Sequence, residues 1–232
     1  RIDYVTITST GNAIDFGNLT QSGWGPAAMS NSVRGVYAGR LSPGSPGFET
    51  TIDYITIAST GDAVDFGDMI AAISTSATFN SQTRAIAAGG YQPTPGTTTN
   101  TIQYITIAST GNATDFGDIT QATTKGTGAS SSTRGILAGG KDSSRFNVIE
   151  YVTIASTGNA TDFGDLTQAR DGMAGGSNST RGVFMGGSTP TKVNTVDFIT
   201  IATTGNATDF GDVSIEKRES AGTCDAHGGL QA

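Results

Sequence analysis

Cysteine, histidine and tryptophan occur once each, at Cys224, His227 and Trp24, and charged residues make up 14% of the 232. A lone cysteine closes no intramolecular disulfide, so it leaves the redox compartment open. One histidine in a poorly repeated tail supplies neither the several nitrogen ligands of a copper site nor a well-placed base for a serine nucleophile. No cofactor and no metal are therefore expected, and an enzyme is disfavoured. No apolar run approaches the length of a membrane span, and the first residues do not read as a signal peptide, so no membrane insertion is expected. Nucleic acid as a partner calls for clustered Lys and Arg, which a chain of formal charge −7 does not suggest. Arg1 is no natural start and reads as the edge of a processed or excised piece.

What the chain has is glycine, 33 copies, with much Thr, Ser, Asn and Ala. That profile suits short strands and tight turns. Self-similarity dominates. Ile2-Asp3-Tyr4-Val5-Thr6-Ile7 returns from Ile52, Ile102, Ile149 and Val196, at steps of 50, 50, 47 and 47 residues. Behind each copy comes a Gly-centred turn and a phenylalanine: Phe16, Phe66, Phe116, Phe163 and Phe210. A second landmark, Arg34, Arg84, Arg134 and Arg181, opens an apolar run ending in glycine.

Each repeat resolves into four short strands, A to D; in the last full copy they cover 172–177, 181–187, 195–202 and 207–213. Strand C is apolar on both faces, with Val196 and Phe198 on one side and Ile199 and Ile201 on the other. Such a strand needs cover on both faces. Packing each sheet between two duplicates provides it, and closing the ring leaves none bare. The expected architecture is all-β: one domain over 1–232, a five-bladed β-propeller of four-stranded antiparallel blades. An open β-solenoid, with coils of roughly 20–30 residues, fits the period less well. Residues 1–20 supply strands C and D alone, and 220–232 supply a strand A and the start of a strand B. The closing blade should therefore join the N-terminal C and D strands to the C-terminal strand A, with residues upstream of Arg1 completing strand B.

The double glycines Gly89-Gly90, Gly139-Gly140 and Gly186-Gly187, with Tyr4, Tyr54, Tyr104 and Tyr151 in strand C, resemble kelch repeats. The first copy has Gly39-Arg40, the last has Phe198 for the tyrosine, and phenylalanine replaces the kelch tryptophan of strand D. The run Tyr104-Ile-Thr-Ile-Ala-Ser-Thr-Gly-Asn-Ala-Thr-Asp-Phe-Gly-Asp118 resembles a repeat of virion structural proteins of tailed phages, notably marine ones. Ala226-His227-Gly228-Gly229-Leu230 resembles the ends of such proteins. The resemblance implies a virion location and a tail or fibre role, with other virion proteins or a host-surface glycan or protein as partners and homo-oligomers conceivable.

Several constellations read as architecture. Asp-Phe-Gly recurs at Asp15, Asp65, Asp115, Asp162 and Asp209 without the companion motifs of a kinase. The phenylalanines are expected between blades, and the aspartates on backbone or on the repeat arginines, whose planar forks suit carboxylates. Asp162–Asp165 lacks the oxygen-rich loop a calcium ion wants. The glycine pairs open no helix and are no phosphate cradle.

Comparing the copies with one another locates variation. The C–D and A–B turns barely change; the B–C loops (41–50, 91–100, 141–148, 188–194) and the D–A crossovers differ in every copy. Strand alternation puts these variable segments on one face, where binding tends to sit. Candidate binding residues there are Trp24, Phe48, Tyr91, Lys125, Lys141, Arg145, Arg170 and Lys192. The aromatics suit a sugar or a protein anchor, or else they cover exposed core edges. A virion-associated attachment or assembly module uses unlike loops. A stand-alone lectin with equivalent inter-blade pockets would repeat its pocket residues, and these loops are unlike.

Overall fold

The computed structural model describes residues 1–222 apart from Trp24, residues 43–46 and Thr94, together with the side chain of Phe48. Among the described residues every helix or strand assigned is a β-strand. β1 (Ile2–Tyr4) and β2 (Ile14–Gly17) form a first, two-stranded sheet. β3 (Ala27–Ser30), β4 (Arg34–Leu41), β5 (Phe48–Thr56) and β6 (Val64–Asp68) form the second. β7 (Ala77–Asn80) and β8 (Arg84–Ala88) belong to the third. A ribbon of β9 (Tyr91–Gln92) and β10 (Thr97–Thr98) follows, then β11 (Thr101–Thr106) and β12 (Thr114–Asp118) complete the third sheet. The fourth holds β13 (Thr127–Ser130), β14 (Arg134–Ala138), β15 (Val148–Thr153) and β16 (Thr161–Asp165). The fifth holds β17 (Ala174–Ser177), β18 (Arg181–Met185), β19 (Val193–Thr200) and β20 (Thr208–Lys217). Four sheets are thus four-stranded antiparallel meanders in the expected order A-B-C-D, and no sheet closes on itself.

Apolar faces meet between consecutive sheets. Val36, Ile52 and Phe66 pack on Ala85, Ala87, Ile105 and Ile107. Ile86, Ile102 and Phe116 pack on Leu137, Val152 and Ile154, and Ile136, Ile149 and Phe163 on Phe184, Ile199 and Ile201. The two-faced C strand demanded this: β11 buries Ile102 against one side and Ile105 against the other.

A β-bulge makes the joints specific. The C–D register slips after the first apolar residue, so that Ile102 faces Gly117 while Gln103 faces Asp115. Phe116 is the extra residue, and its carbonyl is left for the neighbouring sheet. Gly158 N–H donates to it at 2.7 Å. The same bond runs from Gly61 to Phe16, Gly111 to Phe66 and Gly205 to Phe163. The backbones come so close that a Cβ on Gly117, whose φ is +144°, would lie 2.5 Å from the Gly158 carbonyl oxygen. No side chain fits there.

Two expectations need correction. Phe16, Phe66, Phe116 and Phe163 are buried, but Phe210 is 58% exposed. It keeps its edge-on ring partner, Phe198, yet among the described residues no further turn covers it: a methyl added at Gly211 would meet nothing within 4 Å. The repeat arginines do not pair with the Asp-Phe-Gly carboxylates. Arg34, Arg84 and Arg134 lie over the rings of Tyr54, Tyr104 and Tyr151 and donate to the carbonyls of Ile107, Ile154 and Ile201 in the next sheet. Arg181 stacks on Phe198 and is exposed. Geometry explains it, since strands B and D flank strand C on opposite sides. Asp15, Asp65, Asp115, Asp162 and Asp209 stay in water at the outer edge, and three of them cap their own glycine N–H, as Asp65 does Gly67 at 3.2 Å.

Candidate binding face

The constant face is built from self-satisfied turns. Asn31, Ser81, Ser131 and Asn178 each accept the N–H of the arginine three residues on, which fixes the A–B turn and explains its uniformity.

The opposite face is organised by the crossovers. Each ends, just before strand A, on a residue of left-handed backbone: Gly25 (φ 70°), Thr75 (55°), Lys125 (57°), Gly172 (68°) and Glu219 (56°). The last four bond in succession, Lys125 N–H to Thr75 O at 3.0 Å, Gly172 to Lys125 at 2.9 Å and Glu219 to Gly172 at 2.7 Å. Three non-glycine residues hold a costly conformation because this collar over-determines it. Lys125 Nζ reaches past side-chain-free Gly172 to Glu219 Oε1 at 2.6 Å. That pairing holds the Glu219 carboxyl below its ordinary range, with smaller help from Arg218 and Lys141.

Beneath the collar lies an open cavity of about 640 Å³, lined by β3, β7, β13, β17 and residues 220–222. Its polar groups are spent on stitching the strands together. Asn80 Nδ2 donates to Ser30 O (2.6 Å), Ser130 Oγ to Asn80 O (3.0 Å) and Ser177 Oγ to Ser130 O (2.8 Å). Among the described residues no group of three or more His, Cys, Asp or Glu gathers to hold a metal.

The predicted binding residues divide. Tyr91 is 38% exposed on the β9–β10 ribbon, whose backbone exchanges hydrogen bonds with Ser74. Lys141 exchanges backbone bonds with Thr124 and bridges to Arg145. The Arg145 guanidinium pairs with Asp171 and reaches Ser188 Oγ at 3.3 Å. Lys192 is exposed, opposite Ser188. Phe48 opens β5, but its side chain lies outside the described residues, as does Trp24. Residues 223–232, expected to help close the ring, do too.

Arg170 is the correction. It is fully buried and takes no part in the surface: Nη2 meets Asp197 Oδ2 at 2.7 Å, and Nη1 donates to the carbonyls of Gly186 and Thr195. Burial draws the guanidinium below its ordinary value, and Asp197 opposes this. Arg40 does the same for Asp53 from another element of another copy. Residue composition alone missed the polar clamp they serve. The residue after the bulge, Asp53, Gln103, Glu150 or Asp197, accepts the N–H of Thr20, Ile70, Thr120 or Thr167 at the head of the preceding crossover. Its signal was a polar residue recurring inside an otherwise apolar strand.

No protein-family model matches the chain, and a comparison with curated proteins finds no match.

Proposed function

We propose that the five copies form a five-bladed β-propeller that serves, within a virion, as an attachment or assembly module, and that its crossover face engages a host-surface glycan or protein. The carrying observation is the contrast between faces: one joint geometry recurs through the stack, while the loops above it, beyond a Thr-Gln pair shared by three crossovers, differ from copy to copy. A rigid frame bearing unlike loops suits one composite site. Two contacts support the closed ring. β2 packs on the second sheet through the Phe16–Gly61 bond, and Gly222 lies against Gly175 of β17. β2 and Gly222 thus lie against the second and the fifth sheet, the two that a closing blade would join. Gly35, Tyr37 and Ile55 of the second sheet line the cavity on that side. In the fourth and fifth sheets the glycines matching Gly35, Gly135 and Gly182, lie under Phe79 and Ala129 of the preceding A strand. The virion setting rests on the repeat's resemblance to phage structural proteins.

The test is a glycan array and a host-envelope binding assay with the labelled chain, alongside Trp24→Ala and Tyr91→Ala. Saturable binding that weakens about tenfold or more in one of the two variants is expected, as for an aromatic anchor. Absence of binding to every glycan and envelope protein would remove the attachment reading.

A further inference from the structure

The chain's cations are sorted by place. Arg34, Arg84, Arg134 and Arg181 lie over rings, Arg40 and Arg170 are buried, and Arg1 pairs with Asp3 at the N-terminus. Every remaining Lys and Arg, namely Lys125, Lys141, Arg145, Lys192, Lys217 and Arg218, sits on the crossover face of the last three copies. Backbone contacts knit these positions together: Thr124 with Lys141, Lys141 with Arg145, Ser188 with Lys192, and Lys217 with both Gly187 and Val193. The crossovers of the first two copies, residues 19–25 and 69–75, carry no charge. Acidic residues crowd the D strands, as in Asp115–Asp118 and Asp162–Asp165, and Asp142, Asp171, Glu216 and Glu219 stand in the same loops as the six cations; six cations against four carboxylates leave the sector an excess of two positive charges. A net-negative protein has therefore gathered its remaining positive charge on one sector of the face proposed for binding.

Local pairing does not cancel that charge. Asp171 takes Arg145 and Glu219 takes Lys125, but Lys141, Lys192, Lys217 and Arg218 have no carboxylate within 4.0 Å among the described residues. Glu219 is itself informative. It stands at the collar, with Lys125 bonded to it and Arg218 and Lys141 acting on it from further off. An internal carboxylate thus already holds Lys125 at the collar, next in sequence to Arg218.

We infer that this sector recognises an anionic glycan, one bearing carboxylate, sulfate or phosphate groups, through Lys141, Lys192, Lys217 and Arg218, with the Glu219 carboxylate standing where an acidic group of the ligand binds. The inference rests on the attachment reading and narrows its ligand. Lysine, a flexible point charge with three donors, suits dispersed acidic groups on a sugar chain. A nucleic acid fits less well, because its affinity comes from many phosphate contacts and stacked bases, and this sector lacks a row of exposed aromatics.

The experiment uses the whole chain and three size-matched probes at low salt: an oligouronate, its neutral methyl ester, and a single-stranded oligonucleotide. The oligouronate should bind about tenfold or more tighter than the ester, and the preference should shrink as salt screens exposed charges. Lys192→Glu and Lys217→Glu, both at exposed positions, should each weaken oligouronate binding several-fold and leave thermal melting unchanged. Glu219→Gln should strengthen it. Equal binding of acid and ester, indifferent to the charge reversals, overturns the inference and leaves attachment standing. Preference for the oligonucleotide overturns it as well. Failure of both glycan probes here, together with a silent glycan array, overturns both readings.

Discussion

Asp197→Ala should destabilise the protein by about 3–5 kcal/mol, as when one partner is removed from a buried ion pair. The carboxylate and the Arg170 guanidinium are both fully buried, 2.7 Å apart. Among the described residues Arg170 Nε already lacks a partner, so the side chain has little reserve. Alanine at 197 leaves a cation without its anion. It also strips the acceptor from Thr167, whose N–H and hydroxyl both point at Asp197. Arg170→Met in the same background should return a large part of the loss, because a buried pair replaced on both sides is close to neutral. The residual deficit, about 1–3 kcal/mol for each buried group left unsatisfied, falls on the Thr167 amide and on the Gly186 carbonyl that loses Arg170 Nη1. Urea denaturation of the two single variants and the double variant gives the coupling directly. Additive losses would show that the pair does not act as a unit.

The twin pair Arg40–Asp53 shows how much of this was readable in advance. The repeat phase was written in the sequence, and with it strand order, the two-faced C strand and the burial of Phe16, Phe66, Phe116 and Phe163. Periodicity reports which positions are equivalent, and equivalent positions fold alike. It does not report who satisfies a charge. Arg40 comes from the end of strand B and Arg170 from a crossover, yet both guanidinia reach the same clamp position in different copies. Arg170 therefore reads in sequence as a loop cation and proves to be core. The repeat arginines misled in the other direction. A carboxylate recurring in step with a guanidinium suggests a pair, but strand C lies between them and the arginines turn to carbonyls and rings. The charged sector went partly unread as well. Lys217, Arg218 and Glu219 belong to a crossover whose neutral counterparts in the first two copies were the available signal.

Phe116→Ala should cost about 3–5 kcal/mol, the usual range for a buried phenylalanine. Its ring is 2% exposed, edge-on to Tyr104, and its backbone carries the bulge that joins the third sheet to the fourth. Phe210→Ala then becomes a probe of the ring. On an unclosed stack Phe210 is 58% exposed, and a surface truncation of that kind changes stability within about 0.5 kcal/mol. In a closed propeller its carbonyl would meet the N–H of Gly11 and Arg181 would reach the carbonyl of Ile7. These are the same groups that join Phe163 to Gly205 and Arg134 to Ile201. Ile7, now 88% exposed, would be covered as Ile107, Ile154 and Ile201 are. The closed ring thus requires Phe210→Ala to approach the cost of Phe116→Ala in the same urea titration. Hydrogen exchange should protect the Gly11 amide to the level of Gly158. A Phe210 variant as stable as the parent, with Gly11 exchanging freely, would leave a stack of sheets in place of a ring. The cavity beneath the collar would then stay open along the side where Tyr37 and Ile55 now face it.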